Sequence, residues 1–165
     1  MNEKDQKKTM SEAIIVKGNK VLIGRKIKKG GFGFGKWVGF GGKLEKGESI
    51  KQAMIRETEE EAGIMPTKFR KAGILTFHYV DDPDMEVHYF RVDDYDGKEQ
   101  DSTEMQVAWF ELDKIPYPKM WPNDVYWMPM LLQNKLFSGE FFFNQKYEII
   151  KHNIEQVSKL NRLPY

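Results

Sequence analysis

Cysteine is absent from all 165 residues, which excludes a disulfide framework, a thiolate nucleophile and any zinc site built on sulfur. An excess of one charge is missing too. Acids and bases nearly cancel to a formal net charge of +1, so no polyanion-binding face of the nucleic-acid type is expected. No apolar run reaches the length of a membrane span, and the polar, lysine-rich residues 1–9 lack the apolar segment of a secretory signal. Repeats, low-complexity stretches and long linkers are also lacking. The expectation is one domain over residues 11–160 behind a flexible N-terminus at residues 1–10. It should be a soluble protein of the reducing cytoplasm, a monomer in preference to an oligomer, with no nucleic-acid polymer or membrane among its partners.

What is present falls into recognisable elements. β-Branched runs at residues 13–16 and 21–23 flank Lys17-Gly18-Asn19-Lys20 and predict a hairpin. Residues 28–42 interleave glycine with Phe32, Phe34, Trp37 and Phe40, a composition suited to a loop that passes close to something. Ser49 followed by Gln52 makes a capping box, and Gly63 ahead of Pro66 makes a stop, so the spacing predicts a helix over residues 50–62. Strands are expected near residues 73–80, 86–92 and 106–111, the first two joined through Asp81-Asp82-Pro83-Asp84. Helices at residues 126–136 and 147–160 around a strand near residues 140–144 complete the reading.

The chemistry concentrates in the first helix. At about 100° per residue, Ile50, Ala53, Met54 and Ile64 share a stripe, with Glu57 and Glu61 near its centre and Glu60 at its edge. Ile55, Thr58 and Ala62 form a second apolar strip that could be the buried one instead. Either way the i, i+3, i+4 spacing gathers three carboxylates on one side. Clustered like charges repel unless a cation sits among them. All-oxygen ligation selects magnesium, or manganese, over zinc, and magnesium characteristically shares itself with substrate phosphates. Arg56 needs a partner, and Glu48 just ahead of the helix can fix the loop to it through bidentate geometry, a structural role for both. The glycine-rich loop lacks the Gly-Lys-Ser/Thr of a P-loop, and His78, His88 and His152 stand at no metal-ligand spacing.

Gly42, five residues, Glu48, seven residues, then Arg56-Glu57-Thr58-Glu59-Glu60-Glu61-Ala62-Gly63-Ile64 resembles the signature of the Nudix hydrolases. Thr58 departs from it, standing where a bulky aliphatic is usual. The resemblance implies an α/β fold, an α/β/α sandwich around a mixed sheet. It implies Glu57, Glu60 and Glu61 as metal ligands and catalytic acids, often joined by the Gly42 carbonyl. It also implies attack of water on a phosphorus of a nucleoside diphosphate derivative.

Residues 31–37 and 39–42, and Met120-Trp121-Pro122-Asn123-Asp124-Val125-Tyr126-Trp127, are further similar to the MutT homologue 1 type of oxidised-purine triphosphatase within that family. By this likeness Trp121 stacks on the base, Phe32 and Phe77 line the cavity, and Lys28 and Ser11 stand near the nucleotide. Glu104 matches a position that adds a metal ligand or assists the water, its alternative being a plain surface acid. Trp37, Trp109 and Trp127 are left to the core. Two positions depart. Asn123 replaces the first of two consecutive acids, and Val38 replaces an asparagine that holds the base. An ionised Asp124 accepting from N1 and N2, with the Asn123 amide donating to O6, suits a guanine edge. Hydrolysis of 8-oxo-dGTP to the monophosphate and pyrophosphate is therefore expected, in sanitation of the nucleotide pool. Another nucleoside diphosphate derivative, such as a dinucleoside polyphosphate or a sugar nucleotide, and a non-catalytic nucleotide-binding module are the alternatives.

Overall fold

The computed structural model describes residues 6–160, and the part of the expected flexible start at residues 1–5 lies outside them. The chain begins its first strand, β1 (Lys8–Lys17), inside the stretch read as flexible, since Lys8 to Ile15 pair parallel with Met85 to Val92. That pairing satisfies the backbone groups a free terminus would leave to water. The domain edge therefore moves forward from residue 11 to residue 8.

The remaining elements are β2 (Lys20–Lys26), β3 (Trp37–Val38), β4 (Phe40–Lys43), α1 (Ile50–Ala62), β5 (Ile64–His78), β6 (Met85–Gly97), β7 (Met105–Glu111), α2 (Asp124–Leu132), β8 (Leu136–Phe143) and β9 (Ile149–Val157). The strands form one mixed sheet in the order β3-β2-β1-β6-β5-β8-β9, with β4 on β1 and β7 on β2. β1 and β2 pair only near their turn, at Ile15 to Lys17. Beyond it they splay. The β3–β4 segment fills the gap, pairing first with Gly24 and Arg25 of β2 and then with Met10 to Ala13 of β1. This wedge carries the glycine-rich segment into the middle of the sheet.

Strand alternation sorts two cores. Ala13, Ile15, Leu22, Phe90 and Val92 face α1, where they bury Ile50, Met54 and Ala62. Ile14, Val16, Val21, Ile23, Leu75 and Tyr89 face the other way and bury Trp127, Met128 and Leu131 of α2. The expected three layers are thus present, helix on sheet on helix. Among the described residues no helix is long and apolar enough to cross a membrane.

Three further readings change. Residues 147–160 hold a strand in place of a helix: Ile150, Ile154 and Val157 fall at helical spacing, but residues 149–157 pair antiparallel with β8, whose ladder overrides the local pattern. The helix read over residues 126–136 is Asp124–Leu132, closed by Asn134 at φ 60°, and β8 starts at Leu136, earlier than residue 140.

In α1 the capping box forms in both directions, and Gly63 closes the helix at φ 73°, a conformation that costs glycine little. The buried face draws on both candidate strips: Ile50, Ala53, Met54, Thr58, Glu61 and Ala62. Thr58 is fully buried and donates its hydroxyl to the Met54 carbonyl at 2.7 Å, one turn back, so the polar atom costs no unmet hydrogen bond. That carbonyl lies within the helix and does not depend on the hydroxyl. Thr58→Val should therefore change stability by no more than about 1 kcal/mol in either direction, read as a denaturant midpoint, with turnover unaffected.

Candidate active site

Two close approaches shape this end of the molecule, β4 against β1 and α1 against β4. A side chain on Gly41 would run into the Ser11 carbonyl, and a Cβ on Gly42 would stand 2.7 Å from a Glu57 carboxylate oxygen. The second approach sets the Glu57 carboxylate directly on the Gly42 backbone. The Gly41 N–H donates to Glu61 at 2.8 Å. Both acids face a cavity of about 610 Å³ that reaches from α1 across β1 to Trp121 and α2.

Arg56 organises the near wall. Its Nε and Nη2 donate to the two Glu48 oxygens at 2.6 and 2.9 Å, and its Nη1 donates to Glu57 at 2.8 Å. Glu48 ties back to the loop by accepting from the Glu45 N–H, and the guanidinium beside it holds its carboxyl below the usual range. The structural pairing expected of Glu48 and Arg56 is present. Glu60 is different: it is exposed, accepts from Arg56 Nη1 at 3.3 Å and does not line the cavity. Of the three signature acids, the structure brings Glu57 and Glu61 together and leaves Glu60 on the outer side of Arg56.

Burial pushes the Glu57 carboxyl up against the pull of Arg56. Glu61 is pushed up to about 8 by burial and by Glu57 and Glu104, with the Gly41 N–H opposing. Two acids under that strain suit a hard divalent cation, and the oxygen donors fit one: both carboxylates and the Gly42 backbone. Among the described residues no three acidic or histidine side chains already stand together as a ready set of ligands, and Arg56 holds both Glu60 and one oxygen of Glu57.

Glu104 sits across the cavity, raising both acids, and its carboxylate lies 3.9 Å from Lys28 Nζ at the mouth. Lys28 is 70% exposed. Ser11 is buried on the wall, its hydroxyl without a hydrogen-bond partner.

Beyond Ser11 the cavity turns apolar, lined by Val38, Phe77, Val87 and Tyr89. Trp121 forms a plate whose ring lies 5.0 Å from that of Phe32, stacked at 24°, with Lys36 4.9 Å from the Trp121 ring. Phe32 is 60% exposed and also meets Tyr147, whose hydroxyl donates to Asp82. These loop residues cover the plate. Asn123 and Asp124 are both buried at the start of α2. Asp124 Oδ1 accepts from Asn123 Nδ2 at 3.1 Å and Trp127 Nε1 at 3.0 Å, and Oδ2 accepts from the Trp121 N–H at 3.2 Å. Trp127 is fully buried. Trp37 and Trp109 pack on the edges of the two cores.

Burial pushes the Asp124 carboxyl up to about 7, against the pull of Trp127, Trp121 and Lys36. A carboxyl raised on folding contributes stability below its unfolded value and loses it as pH rises through the folded one. Between about pH 6.5 and 8 the protein without metal should lose roughly 1 kcal/mol through Asp124, a fall in Tm of about 2–4 °C. Asp124→Asn should flatten that part of the slope. An unchanged slope in the variant would show that Asp124 is ionised throughout.

Among the cavity residues that sequence reasoning missed are Glu12 and Lys26. Glu12 lies on β1 between Asp124 and Glu61, and Lys26 Nζ donates to the Phe32 carbonyl at 3.1 Å while facing Glu12 and Glu61. The signal available was a charged residue on the apolar face of β1, since Glu12 shares its side of the strand with Ile14 and Val16.

A family model described as the NUDIX domain matches residues 8–131. A zebrafish (Danio rerio) protein named oxidized purine nucleoside triphosphate hydrolase is 42% identical over 154 residues, covering 93% of this chain and 97% of that protein. Its mouse (Mus musculus) namesake is 41% identical over 145 residues, covering 87% and 92%. The crystal structure of a MutT protein from Bacillus halodurans superposes with a TM-score of 0.79 at 25% identity, over 90% of this chain and 97% of that one.

Proposed function

The chain belongs to the Nudix hydrolases, and we propose from this that it hydrolyses oxidised purine nucleoside triphosphates, 8-oxo-dGTP foremost, to the monophosphate and pyrophosphate. The observation carrying the reading is one continuous cavity with paired acids on backbone glycines at one end and an aromatic plate with an Asn–Asp pair at the other. A triphosphate and its base require those two ends.

Glu57 and Glu61, with the Gly42 carbonyl, would hold magnesium, for which manganese can substitute, and Glu60 would join on releasing Arg56. The ion supplies neutralisation of charge on the phosphate oxygens and a more acidic bound water. The Gly41 N–H fixes Glu61 in the orientation it needs, and Arg56 does the same for Glu57. Glu104, facing both acids, orients the attacking water and takes up its proton. Lys26 and Lys28 offer positive charge to the phosphates on the cavity side, and Ser11 offers its free hydroxyl to the nucleotide.

At the base end Trp121 is the plate on which the purine would stack once Phe32 swings off it, with Phe32 and Phe77 as flanking walls. The second hydrogen of the Asn123 amide, free of Asp124, points the recognition toward O6. Pool sanitation in the cytoplasm by a monomer is the setting this reading implies.

The test is chromatographic product analysis with magnesium over 8-oxo-dGTP, 2-hydroxy-dATP, dGTP, a dinucleoside polyphosphate and a sugar nucleotide. Monophosphate and pyrophosphate should appear fastest from 8-oxo-dGTP. Equal rates for dGTP and 8-oxo-dGTP, or faster cleavage of the dinucleotide or sugar nucleotide, would overturn the assignment, and binding without turnover would mark a binding module.

A further inference from the structure

A guanine-type edge presents three N–H donors beside one carbonyl: N1–H and both hydrogens of the 2-amino group. A carboxylate has about four in-plane acceptor sites, and Asp124 already spends three on Asn123, Trp127 and Trp121. One remains, on Oδ2. Asp124 alone cannot answer the edge, and Val38, buried where the base would lie, offers nothing. A second acceptor is needed close to Val38.

Glu12 is in that place. It stands on β1 opposite Gly41 and Tyr89, and its Cγ lies 2.8 Å from where a Cβ on Gly39, the residue after Val38, would be. Only glycine leaves the carboxyl room there. The side chain lines the same cavity as Trp121, Asn123 and Asp124 and has no hydrogen-bond partner among the described residues. A partly buried carboxyl with no hydrogen bond, and only the charge of Lys26 facing it, keeps acceptor sites that a ligand N–H can use. Burial and the nearby Asp124 push its carboxyl well above the ordinary range, with Lys26 opposing. Protonated or not, it retains an oxygen that accepts.

Resting on the proposed reaction, we infer that Glu12 is a specificity-determining residue that accepts a hydrogen bond from the 2-amino group of a guanine-type base, the contact Val38 cannot make. A base without that amino group leaves the Glu12 carboxyl facing it without a hydrogen bond, and a site built to bond a group rejects the analogue that lacks it.

The test compares 8-oxo-dGTP with 8-oxo-dITP, which differs by the 2-amino group alone, in the wild type, Glu12→Leu and Glu12→Gln. The wild type should prefer 8-oxo-dGTP in kcat/KM by roughly 100-fold. Glu12→Leu should bring the ratio to within about threefold by losing the first substrate, and Glu12→Gln, which keeps an acceptor oxygen, should retain at least about a tenfold preference. An equal loss on both substrates would assign Glu12 to the metal end or to folding, and an unchanged ratio would remove it from base reading; either result overturns the inference. Parallel binding of 8-oxo-dGMP and 8-oxo-dIMP without metal, by quenching of tryptophan fluorescence, gives the same ratio independently of turnover. If the wild type cleaves neither triphosphate, the proposed reaction fails, and the ratio of the two Kd values alone decides the role of Glu12.

Discussion

Glu57→Gln should reduce kcat by about 10³-fold or more while leaving KM within about threefold. Glu57 is the acid set directly on the Gly42 backbone, largely buried, with Arg56 Nη1 on one oxygen at 2.8 Å. Glutamine keeps the volume and one acceptor oxygen but removes the charge that would hold a divalent cation against the phosphates. Charge stabilisation of several kcal/mol at a transferring phosphoryl group corresponds to about 10³-fold or more in rate. The proposed base end lies across the cavity and is untouched, so binding of the monophosphate product by tryptophan fluorescence should be unchanged. The fold should not suffer either, because burial already strains the Glu57 carboxylate; Tm without metal should hold or rise. The measurement is magnesium-dependent pyrophosphate release beside a thermal melt. A variant within tenfold of wild-type kcat would show that Glu61 and Glu104 suffice and that Glu57 is a structural partner of Arg56.

That prediction was reachable from sequence because the information is local. Glu57 and Glu61 share one helical turn, Ser49 and Gln52 cap that helix, and Gly63 ends it within a single segment. Glu12 was not reachable in this way. Its place on the face of Ile14 and Val16 is out of pattern but names no role, and only the splaying of β1 from β2, the wedge of β3–β4 between them and the arrival of Asp124 from α2 turn that face into a cavity wall. Residues 149–157 failed for the same reason: Ile150, Ile154 and Val157 satisfy a helical template, and the ladder with β8 that overrules it is a tertiary fact. Glu60 was placed correctly on the helix, but a neighbour at i−4, Arg56, draws it out of the cavity. Spacing says which side of a helix a carboxylate takes, not which cation claims it first.

Arg56 has the widest structural consequence of any single side chain in the site. Arg56→Ala should lower stability by about 2–4 kcal/mol, since it leaves Glu48 and Glu57, only 12% and 15% exposed, without their shared cation. A drop in Tm of about 5–15 °C follows for a domain of this size. Arg56→Lys should recover less than half, because a point charge cannot serve both Glu48 oxygens, Glu57 and the Lys43 carbonyl at once. The pH dependence separates this from simple loss of packing. Glu48 is held below its ordinary value by the guanidinium, so the pair contributes stability above the unfolded carboxyl value, about 4.3, and loses it as pH falls through the lower folded one. Wild type and Arg56→Ala should therefore converge in Tm on acidification below about pH 4 and stand furthest apart at neutral pH. Turnover should drop as well, by roughly 10- to 100-fold, as Glu57 loses its fixed orientation, and in the double variant Arg56→Ala with Glu48→Gln the two stability losses should be less than additive. A constant Tm gap across that pH range, or full additivity, would assign the cost to the lost arginine stem, and the role of Arg56 would then be packing in place of charge.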